Sequence, residues 1–250
     1  LPNFGPRPSD TPWPPPEREH REKETSHSIT GTFKLYDLLD LSTTSGSISV
    51  TVDIQPGEKP AVLRLGTGSG SVRVKMSTGG GLFHKPTLSD AAQSRILRTV
   101  ISTQSGSVSG DVVHGNGGTT DIDTNSGSIH LTIYTAGVSE LDPQSNLSTS
   151  TGSGSQVLKV VPPLGSTEAV RAIQASHVVR GSGSMSLQYP MEWEGMVHIK
   201  VHGSGSVMAT GAGLDVRRES RQELNGYRGS KAGKTIEVAE LGSGSVRFVC

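Results

Sequence analysis

Ser45-Gly46-Ser47-Ile48-Ser49-Val50 is a phrase that this chain repeats. It returns as Ser69-Gly70-Ser71-Val72-Arg73-Val74, Ser105-Gly106-Ser107-Val108, Ser126-Gly127-Ser128-Ile129-His130-Leu131 and Ser153-Gly154-Ser155-Gln156-Val157. It returns again as Ser182-Gly183-Ser184-Met185-Ser186-Leu187, Ser204-Gly205-Ser206-Val207 and Ser243-Gly244-Ser245-Val246-Arg247-Phe248. Recurrence of one short unit points to a stacked β architecture. The central glycines stand 21 to 39 residues apart, so the shortest interval is the basic unit and the longer ones carry insertions. Insertions in such arrays map to loops on the outside.

Around each phrase, apolar and polar residues alternate. Ile48, Val50 and Val52 alternate with Ser49 and Thr51, and Ile129, Leu131 and Ile133 alternate with His130 and Thr132. Period-two alternation of β-branched residues buries one face of a strand and wets the other. Across the glycine the phase breaks. Leu41 to Ile48, Leu65 to Val72, Ile101 to Val108 and Ile122 to Ile129 are each seven apart, where a straight strand needs an even step. One residue is therefore inserted at every Ser-Gly-Ser, as a bulge or a corner. Glycine is expected there because it reaches φ > 0 without a Cβ clash. Val201 to Val207 is six and breaks the rule.

Composition agrees with a thin core. Hydrophobic residues make up 32% and aromatic residues 4%, which favours stacked turns of Val, Ile and Leu over a thick two-layer interior. The expected fold is all-β: a solenoid or β-roll of about eight short coils with Ser-Gly-Ser turns over 28–250. It is capped near Phe33, Leu35, Leu38 and Leu41 and ends with Val246, Phe248 and Val249. Residues 1–27 are expected to form a separate disordered linker. Seven prolines between Pro2 and Pro16 forbid regular structure there, and the mixed-charge run Glu17 to Glu24 reads as solvated.

Candidate sites are sparse. Asp111, Asp121 and Asp123 are near one another in sequence and could serve as paired carboxylates, yet the Gly-Gly-x-Gly-x-Asp calcium signature is missing. His198 and His202 are too far apart on a strand to share a metal, and His130 and His198 fall at polar phases. Cys250 is the lone cysteine, so neither an internal disulfide nor a cysteine metal site is available. Asn146-Leu147-Ser148 is a glycosylation sequon in what reads as an exposed loop. The insertion at 77–95 reads as a loop or short helix. That at 212–234 carries six basic and three acidic residues and reads as a solvated loop or helix face. No metal and no cofactor are expected. Nucleic-acid binding is not expected either, since a wide basic field and stacking aromatics are both missing.

The phrase with its alternating strands resembles adhesin-like families of β-strand repeats whose function is not assigned. Tyr189-Pro190-Met191-Glu192-Trp193-Glu194-Gly195, leading toward Ser204-Gly205-Ser206, is similar to a stretch of a fungal domain of unknown function. The resemblance covers roughly 29–250. It implies cell-surface or membrane-anchored placement, with any membrane contact through a segment outside this chain, and it transfers no catalytic residue. From the residues alone, Trp193 reads as a structural side chain that covers the open edge of the solenoid. Three readings stay open. One is a non-enzymatic structural or adhesin-like surface module touching polysaccharide or cell-wall components. The second is a carbohydrate-active β-helix enzyme using the three aspartates. The third is an intracellular scaffold that assembles end to end through bare strand edges.

Overall fold

A computed structural model of the chain describes residues 17–76, 78–79, 87–115, 117–136, 144–162, 170, 173–229 and 234–250. The chain passes from one sheet to a second and back. β1 (Glu19–Glu24) lies in the first sheet and β2 (Ile29–Leu35) in the second. β3 (Leu38–Thr43) and β4 (Ile48–Ile54) repeat the step, as do β5 (Ala61–Thr67) and β6 (Val72–Met76). The small ladder of β7 (Thr78–Gly79) with β8 (Thr87–Leu88) and the helix α1 (Asp90–Ser94) interrupt the rhythm. Ser89 caps α1, its hydroxyl accepting from the Ala92 amide.

Alternation resumes with β9 (Leu97–Thr103) and β10 (Val108–His114), β11 (Thr119–Ser126) and β12 (Ile129–Thr135). β13 (Ser145–Ser153) and β14 (Gln156–Val161), then β15 (Ile173–Val179) and β16 (Met185–Gln188), follow the same path. All these inter-coil pairings are parallel, which builds the β-solenoid-like, nearly all-β arrangement expected from the repeat.

The last third departs from sequence order. β17 (Gly195–Val201) and β18 (Val207–Thr210) do not stack on β15 and β16. The chain first makes an antiparallel hairpin of β19 (Leu214–Arg218) and β20 (Glu223–Arg228), with β20 against β17. Only then do β21 (Thr235–Glu240) and β22 (Val246–Val249) fill the gap. β21 pairs with both β15 and β17, and β22 with both β16 and β18. Val246, Phe248 and Val249 therefore lie inside the stack rather than ending it. The expected loop or helix at 212–234 is this hairpin, at the end of the eleven-stranded first sheet.

The odd step at each phrase is a corner between the sheets. Leu41, Leu65, Ile101 and Ile122 are aligned in the first sheet, and Ile48, Val72, Val108 and Ile129 in the second. All eight are fully or almost fully buried, and each such side chain contributes about 1.5–3 kcal/mol. The glycine has a different cause from the expected one. Of the eight phrase glycines only Gly154 has φ between +20° and +160°. The eight stack instead. A Cβ on Gly70 would lie closer than 3.0 Å to the Gly46 carbonyl oxygen, and the same conflict recurs along the column to Gly205 over Gly244. Close backbone approach between coils excludes any side chain. Beneath Gly46 the column begins at His27, whose carbonyl a Cβ on Gly46 would meet.

Hydroxyls complete each corner. The Ser47 amide donates to Ser28 Oγ, the Ser71 amide to Ser47 Oγ, and the ladder continues to the Ser245 amide on Ser184 Oγ, at 3.1–3.3 Å throughout. Thr67 Oγ1 donates to the Gly46 carbonyl while accepting from the Gly70 amide, and Thr103 and Thr124 donate likewise to Gly70 and Gly106. From Thr43 to Thr151 the column residue stands three before the glycine. Val179, Val201 and Glu240 take its place in the later coils and stand four before, so these corners hold one more residue. That extra residue is why Val201 to Val207 is six.

The charged run also differs from expectation. Glu19–Glu24 is a strand, parallel to β3, so the folded body includes residues assigned to the linker. His20, Glu22 and Glu24 stand in register with the buried Leu39, Leu41 and Thr43, but at an open end where charge stays wet. Charged side chains on an edge strand discourage pairing with another chain. The half-buried Phe33 on β2 meets the His20 ring at 5.5 Å and covers this end, as expected of it.

Candidate functional site

Asp111 lies on β10 in the second sheet, and Asp121 and Asp123 lie on β11 in the first. Asp123 pairs with Arg180 at 3.4 Å. The three carboxylates thus belong to two outward faces and form no common cleft. Sequence proximity misleads here because a corner separates them. Asn146 is exposed, but it is in register between Thr119 and Gln174 in the first sheet, not in a loop, and its side chain accepts from Gln144. His198 is half-exposed between two carboxylates, with Nδ1 3.0 Å from Glu237 and Nε2 3.2 Å from Glu223. Its hydrogen bond, with the nearby Lys200, holds the Glu223 carboxyl below its ordinary range. Among the described residues no three His, Cys, Asp or Glu side chains gather to hold a metal ion, and no helix is long and apolar enough to cross a membrane.

The strongly perturbed groups are inside. Tyr189, His177, Thr149 and Gln156 form one buried chain of hydrogen bonds. Gln156 Nε2 donates to the Val178 carbonyl, so its Oε1 must accept, and it does so from the Thr149 hydroxyl at 2.6 Å. Thr149 Oγ1 then accepts from His177 Nδ1–H at 2.7 Å. That tautomer leaves Nε2 to accept the Tyr189 hydroxyl proton at 2.8 Å. Each donor has its acceptor, and the imidazole is held neutral, its pKa pushed by burial to about 3. Burial pushes the Tyr189 hydroxyl far upward in the same way. These residues have the composition of a catalytic relay, yet all are sealed from solvent, so they serve as a polar spine of the core.

Around this spine Trp193 is 1% exposed. Its ring lies 5.6 Å from Phe248 and 5.9 Å from Tyr189, and Tyr189 stacks on Phe248 at 5.5 Å. The indole is structural, as expected, but it sits in the core and does not cover an edge. The sequence reading also missed Arg95. It is 3% exposed, and its guanidinium donates to the carbonyls of Tyr36, Gln55 and Lys59 and to Asp37, which also takes a bidentate pair from Arg18. That clamp ties the far ends of the early coils together. A buried arginine in an insertion gives no periodic signal that would have found it.

What remains accessible is the exterior and the two ends. The end formed by β18 is engaged by the hairpin loop: the Val207 amide donates to the Arg221 carbonyl, and Arg218 donates to the Val207 carbonyl. The opposite end carries the charged β1. The outermost strands are β1 and β19 in the first sheet and β2 and β18 in the second, so β1 is charged and β18 is met by the hairpin loop while β2 pairs on one side only, with β4. On the second sheet, an open groove of about 410 Å³ crosses several coils between Ser47, Ser49, Ser71, Arg73, Ser107 and Ser109. Compared with protein-family models, curated proteins and solved structures, the chain matches none of them.

Proposed function

We propose that this chain is a β-solenoid of stacked coils turned at Ser-Gly-Ser, acting as a non-enzymatic, adhesin-like surface module. It works by many weak contacts along a repetitive exterior, where each coil adds the same polar chemistry one strand spacing further on. The observation that carries the reading is the unbroken serine ladder from Ser28 to Ser184. Each ladder oxygen accepts from the next coil, which leaves its own hydroxyl proton for a ligand. The likeness of the repeat to adhesin-like families supports the same placement at a cell surface.

The test is labelling of intact source cells with a membrane-impermeant amine-reactive biotin. Modification of the exposed Lys75 and Lys159, with a glycan mass on the Asn146 peptide, is the expected result. Labelling that requires lysis, with Asn146 unmodified, would remove the surface reading.

A further inference from the structure

The two outward faces treat charge differently. On the first sheet, Arg21 pairs with Glu19 at 3.3 Å, Arg64 with Asp40 at 3.9 Å, Lys200 with Glu223 at 3.7 Å and Arg217 with Glu219 at 3.0 Å. Of its other exposed strand cations, Lys23 and Arg98 have no ion-pair partner among the described residues, and Arg218 donates to the Val207 carbonyl. On the second sheet, Lys34, Arg73, Lys75, Lys159 and Arg247 are all exposed. None of these five has an ion-pair partner among the described residues. The face carries two carboxylates, Asp53 and Asp111, and Asp53 is already engaged by Gln55 Nε2 at 2.7 Å.

Register sets the spacing of these cations. Arg73 lies between Ser49 and Ser109, with His130 next in the same row, and Arg247 follows Ser186 further along it. Lys75 lies between Thr51 and Asp111, and Lys159 between Thr132 and Gln188. With strands about 4.8 Å apart, Lys75 and Lys159 stand three strands or roughly 14 Å apart with Asp111 and Thr132 between them, and Arg73 and Arg247 five strands or roughly 24 Å apart with Ser109, His130, Val157 and Ser186 between them. The open groove beside Arg73 runs on this same face.

We infer that the outer face of the second sheet docks an extended acidic polysaccharide, its carboxylates or sulfates on the unpaired cations and its hydroxyls on the intervening Ser and Thr. This rests on the surface-module reading and names its ligand and face. Sparse cations interleaved with hydroxyls suit a chain whose charges are diluted by neutral hydroxyls. A nucleic acid requires a denser basic field or stacking aromatics, and the phosphate-reading face would be saturated with Lys and Arg. Unpaired cations keep their full charge for a partner, whereas Arg21, Arg64, Lys200 and Arg217 on the first sheet have already spent theirs on neighbours.

The experiment measures binding of the whole chain to immobilised polygalacturonate and dextran sulfate, with dextran as the neutral probe and single-stranded and duplex DNA as competitors. Arg73→Ser, Lys75→Thr, Lys159→Thr and Arg247→Ser are combined, each replacement being a residue type its own row already carries. The control combines Arg21→Ser, Arg64→Ser, Arg98→Thr and Lys200→Thr on the first sheet, an equal change in charge. Expected is salt-sensitive binding of the anionic polymers, weakened about tenfold or more by the second-sheet set and less than about twofold by the control. Equal losses from both sets, equal binding of dextran, or DNA binding tighter than either polymer would each overturn the inference. Surface labelling reads the module's placement independently, so a module that is labelled on intact cells but binds no acidic polymer fails here alone.

Discussion

The coils up to β12 and those after it solve the same packing problem with different materials. The early coils stack in sequence order, with aliphatic columns inside and threonine at the corners. The later coils contain the Gln156–Thr149–His177–Tyr189 chain, the Trp193 and Phe248 rings and the fully buried Glu240, and their last coil is threaded between two made earlier. An array whose units are interchangeable needs nothing to specify their order. An array that must admit a late-arriving coil at one position benefits from contacts made only there. Phe248 supplies such a contact, since it joins β22 to Tyr189 after β16 and to Trp193 before β17.

Phe248→Ala is the change most able to break this contrast. The expected cost is about 3–5 kcal/mol, as for other buried phenylalanines. In repeat architectures a loss is felt mainly by neighbouring units. With Trp13→Phe as background, Trp193 fluorescence should lose its structure at lower urea than the far-UV circular dichroism of the early coils. Transitions that remain coincident would show one cooperative body and erase the distinction between the halves.

Tyr189→Phe asks whether the polar spine matters beyond its packing. The ring and its stacking on Phe248 are kept, but His177 Nε2 loses its donor in a dry interior. An unpaired buried acceptor costs about 1–3 kcal/mol, so the urea midpoint should fall with an unchanged slope. A change within about 0.3 kcal/mol would mean that water or a relaxed neighbour replaces the hydroxyl.

Strand alternation and the odd step at Ser-Gly-Ser were legible because both are local. Leu41 and Ile48 must both point inward, and seven residues permit that only around a corner. The threading of β21 and β22 was not legible, because Gly183, Gly244 and Gly205 carry the same phrase and any of them can stack on another. β1 was hidden by its composition, since an edge strand needs backbone pairing more than apolar side chains. The three aspartates are close in sequence yet lie on two sheets, because a corner separates β10 from β11. The outward cations were visible at polar phases, but their unpaired state depends on which strands are neighbours.

Acid titration gives the finest test of the contrast, because the later coils bury both a histidine, His177, and a carboxyl, Glu240, where the early coils bury the single histidine His114. Burial lowers His114 to about 4 and His177 to about 3, while it raises Glu240 to about 7, with one carboxyl oxygen accepting from the Gly242 amide and the other lacking a partner among the described residues. Below their ordinary value of 6.5 the two histidines take up protons only when unfolded, so their contribution is present above that pH and is lost as pH falls. Glu240 behaves oppositely. Between 4.5 and about 7 the folded chain keeps a proton that the unfolded chain releases, so its contribution declines as pH rises. Near pH 5.5 the unfolded chain binds about two histidine protons more and about one glutamate proton fewer. The net of about one proton makes stability rise by about 1 kcal/mol per pH unit. Glu240→Gln keeps the acceptor for Gly242 and removes the opposing titration, so the slope should approach twice that value. Urea melts at half-unit pH steps from 5 to 6.5 measure it directly. An unchanged slope in the variant would mean that Glu240 is already ionised in the fold, with its second oxygen reached by water.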